Sequence, residues 1–179
     1  MTIRTVDSWM QLVDRLIVCR LKEYHYSKDS RHTEASYAKE QAEELAAVAT
    51  QYMEECLSGD REPRVHRHLR YHNHDAGEVE ASSVMEAVSQ LSSCHAEYWE
   101  AQGKALVARN DSYDGAVYVA DNWQRVCDSC NQRRNELIQK GDDLLRRMWE
   151  QWKSERIVGH GLLDDWQPPY SVFDTRLSL

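Results

Sequence analysis

The chain reads as all-α: a four-helix bundle built from two antiparallel helical hairpins, followed by a non-helical aromatic C-terminal tail. Three observations predict this. Val, Ile and Thr are scarce and show no sustained alternation, so strands have no support. The three prolines are Pro63, Pro168 and Pro169, so none interrupts the chain between 64 and 167. Apolar residues recur instead at helical spacing in four long segments separated by polar breaks.

The first helix is expected from Asp7 to about Lys28, capped by Asp7 or Thr5, with Trp9, Met10, Val13, Leu16, Ile17, Leu21 and Tyr24 on its inner face. The second starts near Thr33, which would cap it, and buries Tyr37, Leu45, Val48, Tyr52 and Cys56 before Gly59 stops it. A third helix covers Ala81 to Ala108 with Val84, Val88, Leu91, Cys94, Tyr98 and Ala105 inward. The last runs from about Ala116 to Ser154. Its stripe Trp123, Cys127, Cys130, Arg134, Leu137, Gly141, Leu144 and Met148 has heptad spacing throughout. The predicted organisation is one domain: a first hairpin over 1–59, a His/Arg-rich connector over 60–80, a second hairpin over 81–154 and a tail over 155–179. "LIVCRLKEYH" and "LSSCHAEYWE" share Leu and Cys in register and open the two hairpins, a faint sign of duplication.

At 179 residues the chain is long enough to bury a core without disulfides or metal. Its net charge of −8 argues against a general nucleic-acid binder. The N-terminus lacks a signal-peptide-like apolar run, no segment is apolar enough to span a membrane, and five cysteines are an odd number. A reducing cytoplasmic compartment with free thiols is the expectation.

Several segments carry a resemblance. "VDRLIVCRLKEYHY", "CHAEYWEAQGKAL" and "SYDGAVYVADNWQRVCDSCNQRRNELIQ" resemble patterns found in a loosely defined group of small, all-helical, uncharacterised bacterial proteins often associated with surface-polysaccharide or lipopolysaccharide biosynthesis genes. The matching polar positions are Asp14, Lys22, Trp99, Asn131, Arg134 and Asn135. The chain departs from the pattern at His95 and Ala96 and at Gln102 and Gly103. The resemblance implies the helical fold and no particular activity.

Four groups of residues are candidates for function. His68, His72 and His74 lie in the connector, and His68 and His72 are four apart, a spacing that places two imidazoles on one helical face for zinc or another divalent metal. Cys127 and Cys130 form a CxxC without a second pair. Mid-helix on the seam they read as core thiols, the sharper alternative being a Cys₂His₂ site completed by connector histidines. Arg134 on an apolar seam requires a partner, for which Asp14, Glu97 and Glu100 (with Glu23) are candidates and Asn131 a neighbour. That network either fixes helix register or opens a pocket for a small anion. Trp166, Tyr170 and Phe173 in the tail either fold back on the bundle or dock on a protein partner or a second copy.

No nucleophile elbow, phosphate loop or dinucleotide fingerprint is present, and "EQAEEL" supplies only half of a carboxylate metal motif. The leading functional expectation is a non-catalytic protein-binding or scaffolding bundle. The alternative is a small helical enzyme or sensor with a metal- or phosphate-binding site at the bundle mouth.

Overall fold

A computed structural model of the protein describes residues 7–65, 79–110 and 115–158. It is an all-α four-helix bundle: α1 (Trp9–Lys28), α2 (His32–Ser58), α3 (Val84–Arg109) and α4 (Ala116–Val158). The intimate pairings are α1 with α2 and α3 with α4, and α1 joins the two hairpins. That central position explains why the first half of α1 is buried on most sides, through Trp9, Met10, Leu12, Val13, Asp14, Leu16 and Ile17. Among the described residues no helix is long and apolar enough to cross a membrane.

The caps differ from expectation. Ser8, rather than Asp7, caps α1: its hydroxyl accepts from the Gln11 amide while the Gln11 side chain accepts from the Ser8 amide. Asp7 pairs with Arg15 instead, and Thr5 lies outside the described residues. Arg31 occupies the cap position of α2 and its side chain makes no cap bond, so Thr33 sits inside the helix. Ser83 caps α3 by accepting from the Glu86 amide, which moves that helix start from Ala81 to Val84.

The inner face of α2 is Ala35, Ala38, Ala42, Leu45, Ala49, Tyr52 and Cys56, a heptad seam made largely of alanine. Tyr37 lies one step round the helix from that seam and is 64 % exposed, not buried as its bulk suggests. Small seam residues let α1 and α2 approach closely, and a tyrosine there would hold them apart.

The seam of α4 follows the heptad as far as Leu144, which is half-buried against the core. Cys127, Cys130, Leu137 and Gly141 are buried and Arg134 is half-buried, but Met148 is exposed and its place is taken by Leu145 and Trp149. A straight α-helix drifts about 20° per heptad against a strict 3.5-residue repeat, so a long seam must move to the next position. At that layer α1 comes nearest: Met10 lies directly over Gly141, and its amide donates to the fully buried Asp142 carboxylate at 3.2 Å.

Below Gly141 the end of α4 gathers the described ends of the connector. The Trp149 indole donates to the Cys56 carbonyl at 3.0 Å, Arg146 pairs with Glu62, and the buried Tyr52 hydroxyl accepts from the Arg64 amide at 2.9 Å. Arg61 stacks over the Tyr52 ring at 3.8 Å. Arg146 is ~28 Å along α4 from Cys127 at 1.5 Å per residue, so residues 61–65 are anchored far from the CxxC.

Candidate functional site

The polar centre of the bundle is Asp14. Its side chain is 3 % exposed, in the middle of α1. Arg134 of α4 grips it as a fork, Nε to Oδ1 at 2.6 Å and Nη2 to Oδ2 at 2.5 Å. His95 of α3 completes the group, Nε2 to Oδ1 at 2.7 Å. With Asp14 ionised, Nε2 is the donor. Three helices are thus tied through one carboxylate.

The electrostatics follow from this geometry. Burial alone would raise the Asp14 carboxyl, but the bonds from Arg134 and His95 outweigh it and hold its pKa below the ordinary carboxylate value. The same fork raises the Arg134 pKa, against the opposing effect of burial. Of the carboxylates proposed as partners for Arg134, only Asp14 reaches it. Glu97 pairs with Arg133 at 2.7 Å, Glu100 with Lys104 at 2.5 Å, and Glu23 with Arg20 at 2.8 Å. Arg133 and Arg134 are about 100° apart round α4, and that rotation sends one to the surface carboxylate of α3 and the other to the core.

Beside this group lies a cleft of about 310 Å³ between α1, α3 and α4. From α1 it is lined by Val18, Leu21 and Lys22, and from α4 by Cys130, Asn131 and Arg134. From α3 come Cys94, His95, Tyr98, Trp99 and Gln102. A second, more open cleft of about 410 Å³ lies between α1, α2 and α4, and shares Val18, Lys22 and Arg134 with the first. Arg134 has only two of its five N–H groups on Asp14, and its side chain is 35 % exposed. Lys22 forms no ion pair among the described residues. The Trp99 indole is held by a parallel stack on His25, ring centroids 4.7 Å apart and planes 10° apart, and Tyr24 meets His25 edge-on.

Lys22, Trp99, Asn131 and Arg134, four of the six polar positions that the sequence resemblance singles out, line this cleft, and Asp14 lies beneath it. Asn135 does not line it. His95 and Gln102, where the chain departs from the resembled pattern, do. Sequence reasoning missed His95 as a site residue because its partner is 81 positions away, and Arg134 reaches the same carboxylate across 120. Asp142, a second fully buried acid one step from the seam, was also missed.

The metal candidates fare differently. Cys127 and Cys130 are buried, and the Cys94 thiol donates to the Cys130 carbonyl at 3.0 Å. Among the described residues no three His, Cys, Asp or Glu side chains converge as a metal site. His68, His72 and His74 lie outside the described residues, as do Trp166, Tyr170 and Phe173. Burial pushes the Cys130 thiol up to about 12 and Cys56 up to about 11. At pH 8, iodoacetamide should therefore modify Cys130 and Cys56 much more slowly than in the urea-unfolded chain, as followed by peptide mass spectrometry. Equal rates in the two states would contradict the protonated-thiol assignment.

Comparison with known proteins supplies no relative: no family model matches the chain, and no curated protein or solved structure is significantly similar to it.

Proposed function

We propose that the protein is a ligand-binding helical bundle whose cleft between α1, α3 and α4 receives a small anion. One observation carries the reading. In a chain of net charge −8, the cleft is lined by two cations, Lys22 and Arg134, and by no carboxylate among the described residues. The buried Asp14 positions the Arg134 fork before any ligand arrives, so binding need not order it. Lys22, which forms no ion pair among the described residues, contributes a second positive charge.

Titration with inorganic phosphate, followed by calorimetry and by amide NMR, tests this. Phosphate is expected to perturb residues of α1, α3 and α4 around the cleft. Lys22→Gln should weaken it about tenfold, the loss of one charge-assisted contact, without lowering Tm. Phosphate shifts scattered over the surface, or an affinity indifferent to Lys22→Gln, would count against the reading.

A second reading, self-association as an assembly protein, is favoured by the apolar end of the α3–α4 hairpin. Leu106, Val107, Val117 and Tyr118 are 62 %, 70 %, 75 % and 71 % exposed there, two from each helix. Val107→Glu combined with Tyr118→Glu should convert an oligomer to a monomer by light scattering; an unchanged mass removes this reading.

A further inference from the structure

We propose that the anion bound in the α1–α3–α4 cleft is carried on a planar heteroaromatic ring, as in a nucleoside monophosphate or a heteroaromatic carboxylate. The inference rests on the anion-binding reading above and specifies its ligand. A bare inorganic anion would engage Lys22 and Arg134 and leave the rest of the cleft idle. That remainder is chemically specific. Tyr98 and Trp99 form one wall, and the His25 stack fixes the indole in place, giving a preformed surface for a flat ring. Gln102 and Asn131 stand at the same cleft from opposite helices, and neither carboxamide is hydrogen-bonded among the described residues. Each offers a donor pair and an acceptor, the complement that reads the edge of a nitrogen heterocycle.

The two kinds of group are spaced along the cleft. His95 marks the level of the Asp14–Arg134 fork; at 1.5 Å per residue Gln102 lies ~10 Å further along α3 and Lys22 ~12 Å further along α1, so Arg134 holds the anion end and Lys22 stands towards the ring end. That interval spans a ring and a short link to its anionic group. The volume of about 310 Å³ stands at the small end of the range for organic-ligand pockets, which suits a one-ring or two-ring compound.

Calorimetry on the full chain with four probes tests the assignment: adenosine 5′-monophosphate and nicotinate, which combine ring and anion, adenosine, which has the ring alone, and ribose 5-phosphate, which has the anion alone. At least one combined probe is expected to bind tenfold or more tightly than either half. If adenosine 5′-monophosphate alone gains, the anion is a phosphate; if nicotinate alone gains, it is a carboxylate. Trp99→Leu, which keeps an apolar bulk against His25, should remove that tenfold gain and leave ribose 5-phosphate affinity unchanged. Gln102→Leu should do the same from the exposed edge, where folding is not at stake. Ribose 5-phosphate matching both combined probes would overturn the ring assignment while the anion reading stands. Adenosine matching adenosine 5′-monophosphate with nicotinate no tighter than either, or no heat from any probe, would overturn both.

Discussion

Arg134→Met is expected to lower stability by about 3 kcal/mol at pH 8, because it strands a carboxylate in the core. Asp14 is 3 % exposed and cannot turn to water, whereas Arg134, at 35 %, can. The loss is therefore asymmetric. Asp14→Asn should cost less, since the released guanidinium rehydrates through the open side of the cleft. The pH dependence separates the two further. In the native protein the Asp14 pKa is depressed from 3.8, so its stabilising contribution is complete above that value and fades as pH falls through the folded pKa. Asp14→Asn should flatten that acid limb. In Arg134→Met the hydrogen bond from His95 is what remains on Asp14. Urea denaturation at pH 8, 6 and 4 reads all three behaviours. An Arg134→Met variant as stable as the parent at pH 8 would show the fork to be a surface pair of little energetic consequence.

Gly141→Leu is expected to cost about 3 kcal/mol, for a different physical reason. A Cβ at Gly141 would meet Met10 Sδ at 2.5 Å, with Cε at 2.7 Å and Cγ at 2.8 Å. Met10 is fully buried, so its side chain must repack within the core or α1 must lift away from α4. Any lifting of α1 also stretches the bond from the Met10 amide to Asp142 at the α1 N-terminus. Met10→Ala vacates the space, so the double variant should be more stable than the sum of the two single effects by about 2 kcal/mol. Denaturant melts of the four proteins in this cycle measure the coupling. Additivity within about 0.5 kcal/mol would mean that the two residues do not share this space.

Both predictions concern contacts between helices, and there the sequence was least informative. The existence and order of the helices were legible because apolar periodicity is a local signal: each helix needs one face out of water, and the spacing shows it. The error at Tyr37 came from weighting bulky side chains over alanine, when close packing of α1 on α2 selects small residues. The error at Met148 came from extending an ideal heptad along 43 residues of α4, past the point where a straight helix drifts out of register. Both are failures to know the partner surface, not failures of helix recognition.

The candidate site divides along the same line. Arg134 was conspicuous as a charge on an apolar seam, and its need for a partner followed from the cost of burying it alone. Choosing Asp14 over Glu97, Glu100 and Glu23 was beyond the sequence, since all four lie on neighbouring helices at reachable spacing. The sequence by itself determined four amphipathic helices, two hairpins and a buried cation that required an acid. Only the tertiary structure decided which acid, brought His95 to it, and set Lys22, Trp99, Gln102 and Asn131 around one cleft. The reason is geometric: periodicity fixes which side of each helix is apolar, but the axial stagger and rotation between helices depend on contacts such as Met10 over Gly141, summed across the whole interface.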